Sequence, residues 1–317
     1  MSDSTVAEAP PFQMVRASVS RVERVSPSFV RITFTGDELA DFGTPGATFD
    51  QRIKLVFPPE TGVLPDLSHA GADWYQAWLS VPEAERGTMR TYSIREVCAG
   101  ASGTEVVIDF VLHLAPGLSG PASRWAADAD VGHELILVGP RRGRTDGGGI
   151  EFDPGDAARV LLAGDETAAP AIARILEDAP ADLRGDVFIE VPCAADELAI
   201  AAPPGVTVTW IARGDDADAT GGHGEKLISA VTDHLGVAAE LPIQDLDSEE
   251  LLWETPNYSG LGDSLDMTDP HADRYFWIAG ESGVVTTLRR HLVKTLGIDR
   301  AQVAFMGYWR HGVAMRG

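Results

Sequence analysis

Two apolar rhythms divide the chain. Through the first half the period is two. Phe29-Val30-Arg31-Ile32-Thr33-Phe34-Thr35 alternates apolar and polar positions, and Arg52-Ile53-Lys54-Leu55-Val56-Phe57 does the same before stopping at Pro58-Pro59. Such alternation marks half-buried β-strands. Further strands are predicted over residues 16–25, 106–114 and 134–138. In 106–114 the positions Val107, Asp109, Val111 and His113 face opposite to Ile108, Phe110 and Leu112. Short strands, Gly/Pro turns and one helix predict a small closed antiparallel barrel. Residues 60–88, which hold Trp74, Trp78 and several Pro and Gly, are expected to form a long excursion from it.

From residue 159 the period changes. Short apolar runs at 159–164, 186–191, 206–211, 275–279 and 302–307 predict strands. Between them come helical spacings. Ala171, Ile172, Ile175 and Leu176 share one face of 167–178, and Leu227, Ile228, Val231 and Leu235 one face of 226–235. Val284, Leu288, Leu292 and Leu296 align after the strand at 275–279. Strands alternating with helices predict a doubly wound parallel sheet. Residues 147–156, Gly-rich and punctuated by Pro154, are a linker. The expected architecture is therefore β + α/β: an antiparallel barrel domain over 1–152, then a nucleotide-binding domain over 153–317.

Composition narrows the class. The chain has 317 residues, 44% of them hydrophobic, enough for two packed cores. No apolar run reaches the roughly 18 residues of a bilayer span. Residues 1–10 carry Asp3 and Glu8 and no basic residue, unlike a secretory signal. Cys98 and Cys193 are the only cysteines. They suit a reducing, cytoplasmic setting and leave no thiolate set for an iron–sulfur cluster. The net charge of −23 argues against a nucleic-acid partner. It also means that an anionic substrate needs a local basic patch, for which Lys54, Arg141, Arg142, Arg144, Arg289 and Arg290 are candidates.

The chemistry concentrates near residue 90. In Arg90-Thr91-Tyr92-Ser93 the guanidinium matches a phosphate, the tyrosine offers a flat face, and the serine can bond a ring edge. Alone, this is also an ordinary strand end. Strand 106–114 then runs into a Gly/Pro-rich loop, Ala115 to Gly120, that opens a helix at Pro121-Ala122-Ser123-Arg124-Trp125. Ser119 or Ser123 can cap that helix or bond a phosphate. Gly139-Pro140-Arg141-Arg142-Gly143 closes the unit.

With Gly164-Asp165-Glu166-Thr167-Ala168, Trp277-Ile278-Ala279-Gly280-Glu281 and Gly307-Tyr308-Trp309-Arg310-His311-Gly312, these motifs stand in order along most of the chain. Together they resemble the siderophore-interacting proteins, a flavin reductase family related to ferredoxin reductases. The resemblance implies FAD as cofactor and ferric-siderophore reduction as activity. It implies cofactor contacts from Arg90, Thr91, Tyr92, Ser93, Asp109, Val111, His113, Pro116, Gly120, Pro121, Ala122, Ser123, Asp165, Thr167, Ala168 and Trp309. It places Lys54, Arg141, Arg142, Arg289 and Arg290 at the substrate. The turn at Gly164 departs from Gly-x-Gly-x-x-Gly, yet it follows a strand and opens a helix, as a nucleotide phosphate requires. Arg213, Gly280 and Glu281 are candidates for the nicotinamide nucleotide, Arg213 through a 2′-phosphate.

Residues 239–273 hold ten acidic side chains and no Lys or Arg. A run like this reads as a solvated loop, though Leu251-Leu252-Trp253 suggests that part of it docks. There is no Gly-x-Ser-x-Gly elbow and no His-Glu-x-x-His zinc motif. No resident metal and no catalytic side chain are expected, because a flavin carries the chemistry. The activity that follows moves electrons from NADPH or NADH through FAD to siderophore-bound Fe(III), and Fe(II) leaves because it binds hard oxygen ligands less tightly. A ferredoxin is an alternative donor, and the protein is expected to act as a monomer. Two other readings stay open: a flavin-holding siderophore-binding module, and a flavin reductase serving a partner protein.

Overall fold

The fold is taken from a computed structural model that describes residues 10–44, 46–68, 70–101, 103–113, 119–144, 146–215, 222–237, 241–244, 251–255 and 273–312. The first half is built from β1 (Phe12–Arg24), β2 (Phe29–Thr35), β3 (Arg52–Phe57), α1 (Trp74–Ser80), β4 (Thr88–Ser93), β5 (Glu96–Gly100), β6 (Gly103–Val111), α2 (Pro121–Ala127) and β7 (Glu134–Pro140). Its antiparallel strands pair in the order β4-β3-β7-β1-β2-β6-β5. The sheet curls into a half-barrel with β4 and β5 as edges. Alternation sends Ile32, Phe34, Ile53, Leu55, Ile108 and Phe110 to the inside. There α2 inserts Trp125 against Phe34, Phe57 and Phe110. The excursion over 60–88 covers the outer face. It carries Leu64, Leu67 and Trp78 onto Val56, Ile136 and Val138, and Trp78 Nε1 donates to Arg86 O at 2.9 Å.

The second half holds β8 (Arg159–Gly164), α3 (Ala169–Asp178), β9 (Arg184–Cys193), β10 (Gly205–Gly214), α4 (Glu225–His234), β11 (Trp253–Glu254), β12 (Arg274–Glu281), α5 (Ser282–Arg289) and β13 (Val303–Trp309). The order is β10-β9-β8-β12-β13-β11, parallel except for β11. Strands buried on both faces explain the unbroken apolar runs. Val160 and Leu162 meet α3, while Leu161 and Ala163 meet α4 and α5. The helix predicted to continue through Leu296 instead passes into a π-helical turn, Arg290–Thr295. The acidic segment does dock in part: β11 pairs with β13 through Trp253 and Glu254, and Trp253 stacks on Tyr308.

The halves meet along the outer face of β2 and β6. Phe29 and Val111 join the core of α3. Beside them, Arg95 makes a two-pronged contact with Glu177 of α3, at 2.5 Å for each prong. Asp50, 1% exposed, ties the seam from the other side. It accepts from Trp277 Nε1 at 2.9 Å and from the backbone N–H groups of Glu151 and Phe152.

Burial pushes the Asp50 carboxyl up to about 6, against the opposing pull of the Trp277 and backbone hydrogen bonds. The folded chain then holds a proton more tightly than the unfolded one. Stability at this site is therefore greatest below about pH 4 and declines as pH rises towards 6. Urea unfolding of the wild type and Asp50→Asn should show the difference in stability moving against the wild type by about 2–3 kcal/mol between about pH 4 and pH 7. A difference that stays constant across that window contradicts the assignment.

Candidate flavin-binding site

Edge strand β4 carries the first part of the site. Its register sets Arg90 opposite Leu55 and Tyr92 opposite Ile53, so both side chains project to the concave side. The Tyr92 ring lies 4.7 Å from Phe110 and stays half-buried. Burial raises its phenol pKa, so it remains neutral. Thr91 projects the other way and accepts from Lys54 Nζ at 2.7 Å. Ser93 pairs with Arg52.

Helix α2 supplies the facing wall. It packs on β2, β3, β4 and β6. Gly120 precedes it in extended conformation, Pro121 opens it, and Ala122 and Ser123 are buried. Ser123 Oγ accepts from His113 N at 2.9 Å, which fixes the end of β6 against the helix.

Across the seam, the carboxyl ends of β8, β12 and β13 converge on Asp165. Its Oδ1 accepts from Thr167 N and Thr167 Oγ1, and its Oδ2 from Glu281 N at 2.7 Å and Trp309 Nε1 at 2.8 Å. Burial, then Glu166, raises its pKa. Gly280 is required here: a Cβ would stand 2.6 Å from Asp165 Oδ2, and its φ is +138°. Ala168 is buried beneath the turn. Glu281 caps α5 by accepting from Val284 N. Trp309 faces His113 of the first half, ring centroids 5.7 Å apart, and His223, 5.3 Å apart. Burial lowers the His223 pKa to about 4, so its imidazole is neutral at pH 7.

Several expected contacts are redirected. Asp109 points into the seam, where Arg31 holds both its oxygens at 2.7 and 2.8 Å, and it is not open to a cofactor. Val111 packs in the inter-half core. Arg213 is buried against Glu166, at 2.6 and 2.7 Å, and Glu190, so it does not reach out to a phosphate. The two second-half members of the expected basic patch are engaged elsewhere. Arg289 is buried against Glu254. Arg290 is exposed and bonds Gln244. Both lie at the far end of α5, about 12 Å along the axis from the carboxyl end of β12. Arg141 donates to Pro10 O, and Arg142 to Phe42 O and Thr104 Oγ1. Pro116 lies outside the described residues. His223 and Glu190 were not apparent from sequence, since no motif marks single residues that loops bring to one strand end.

Residues 18–144 match the siderophore-interacting FAD-binding domain, and residues 157–312 match the siderophore-interacting protein family. An uncharacterized protein of Mycobacterium tuberculosis is 38% identical over 303 residues, covering 93% of this chain and 89% of its own. The chain belongs to the siderophore-interacting protein family. The NADPH-dependent ferric-chelate reductase of Escherichia coli is 28% identical to this siderophore-interacting protein, over 92% of this chain and 91% of that one. The solved structure of the siderophore-interacting protein SipS from Aeromonas hydrophila superposes with a TM-score of 0.64 at 30% identity, covering 96% and 94% of the two chains.

FAD is the cofactor of this domain type, and the residues fit it. Arg90 is a half-buried cation whose one hydrogen bond among the described residues goes to Met89 O, at 2.6 Å. Burial lowers its pKa, and no carboxylate among the described residues compensates. A phosphate would. Ser119 Oγ, just ahead of α2, is buried and has no hydrogen-bond partner among the described residues. Arg90→Ala should weaken FAD binding about ten- to a hundred-fold, read by fluorescence titration of the apoprotein. Unchanged affinity would remove Arg90 from the site.

Proposed function

We propose that this siderophore-interacting protein is a ferric-siderophore reductase that draws electrons from NADPH or NADH and releases Fe(II) in the cytoplasm. The observation that carries the reading is the His113–Trp309 contact across the seam. It sets the end of the Arg90–Tyr92 side of the half-barrel beside the carboxyl ends of the parallel strands. In doubly wound sheets the crevice outside those ends takes a dinucleotide. The name of the Escherichia coli relative, an NADPH-dependent ferric-chelate reductase, supports the same donor and acceptor class.

FAD, when bound, accepts two electrons from a nicotinamide and delivers them singly to iron. The side chains do the rest. Arg90 and Ser119 hold phosphate, Tyr92 and Ser93 orient the ring system, and Trp309, locked by Asp165, closes one side against water. The protein acts as two domains, 1–152 and 153–317, in a monomer. Among the described residues no helix is long and apolar enough to cross a membrane. The ferric siderophore is the substrate. For an anionic one the attraction comes from Lys54 with Arg141 and Arg142, all in the first half.

FAD-loaded protein should oxidise NADPH steadily only when a ferric chelate is supplied. Fe(II) trapped by a chromogenic chelator should appear at two per NADPH, because one hydride carries two electrons. NADPH oxidation without Fe(II) would favour a flavin reductase, and no oxidation a binding module. Reduction of an anionic chelate should slow as salt rises, since screening acts over about 8–10 Å at physiological strength. Lys54→Glu should raise KM for that chelate more than for a neutral one. Equal effects on both chelates contradict the role of Lys54.

A further inference from the structure

The buried position of Arg213 leaves a question of where the carboxyl end of β10 could meet an anion, and Lys226 answers it. Lys226 stands one residue into α4 and is exposed. Its Nζ donates to Ala212 O at 2.8 Å and Arg213 O at 3.1 Å, carbonyls just before the end of β10. An ammonium has three donors, so one remains. Its hydrogen-bond partners among the described residues are both backbone carbonyls. Glu225, next in sequence, is exposed and turns towards Gly222, with Oε2 3.8 Å from where a Gly222 Cβ would lie.

The turn that presents Lys226 is unusually fixed. Glu190, fully buried on β9, accepts from Gly224 N at 2.8 Å and Leu227 N at 3.2 Å, two residues before Lys226 and one after it. Arg213 holds Glu190 from below at 3.4 Å. Gly224 has φ +80°, and a Cβ there would stand 2.1 Å from Val284 Cγ2, so only glycine fits against α5 at this turn. A lysine that only solvated a surface would keep its flexible stem free, because holding it costs rotamer entropy. Here the stem is held and the head is turned to the strand end, on the same crevice side as Asp165 and Glu281.

We propose that Lys226 recognises the 2′-phosphate of an NADPH donor, with Glu190 and Arg213 as its positioning residues. The inference rests on a nicotinamide dinucleotide being the donor, as proposed above. It assigns the NADPH-versus-NADH preference to one side chain other than the arginine that the sequence suggested.

Calorimetric titration of the FAD-loaded full chain with 2′,5′-ADP and with 5′-AMP tests it without turnover. The wild type should prefer 2′,5′-ADP. Lys226→Gln should lose about ten-fold or more of that preference, and Lys226→Arg should keep most of it. The affinity for 5′-AMP serves as the internal measure of an intact site. A preference that survives Lys226→Gln overturns the proposal. So does a wild type that binds both nucleotides equally, which would leave the reductase reading standing. A wild type that binds neither nucleotide overturns both.

Discussion

One buried carboxylate organises the working end of this protein. Asp165 takes four donors from three places: the turn after β8, the last residue of β12, which caps α5, and the indole that ends β13. Removing a carboxylate from water is costly, and the raised pKa of Asp165 records that cost. Four hydrogen bonds offset it. The arrangement holds only while all three strand ends stay in register, so the charge makes the geometry specific. Trp309 is fixed by it, and through Trp309 the contact with His113 of the half-barrel. Gly280 is the steric counterpart of the same constraint, since any side chain there would displace the carboxylate.

A second set of buried charges keeps the halves from sliding. Asp109 holds Arg31 and lies near Arg95, which grips Glu177, while Asp178 accepts from Thr48 N and Phe49 N. These groups come from both halves and are mostly shielded from water, so losing one partner would strand another. Ser26 and Ser28 do the same farther along by donating to Asp196. The cleft between the halves is thus a rigid product of paired charges, with Phe29 and Val111 supplying the apolar part.

The fold was legible because its periods are clean. Phe29–Thr35, Arg52–Phe57 and Arg159–Gly164 form strands with the bounds that alternation and apolar runs imply. Helix α1 was not legible. Trp74 and Trp78 are drawn into a helix by the exposed apolar back of β3 and β7, a tertiary demand with no local signal. At the site, Arg90 and Tyr92 lie on the concave side of β4 and Trp309 at the end of β13. Asp109, Arg213 and Arg289 are turned inwards for one shared reason: each charged group found an opposite charge inside the protein. In a chain with 48 acidic and 25 basic residues, a buried arginine readily meets a carboxylate, and sequence alone does not say which arginines stay open. Lys226 was passed over because its meaning lies in the two carbonyls that hold it.

The central claim is that both halves act on one bound flavin, which receives electrons from the second half's nucleotide and gives them to iron at the first. It is tested most directly by stepwise reduction without oxygen. The yellow FAD-loaded protein is mixed anaerobically with one equivalent of NADPH, and the absorbance near 450 nm is followed. A ferric siderophore is then added in slight excess with a chromogenic Fe(II) chelator. The account predicts that NADPH bleaches the flavin and that the ferric siderophore restores its colour as Fe(II) appears, at about two Fe(II) per flavin. A flavin that NADPH bleaches but the ferric siderophore leaves bleached would contradict it.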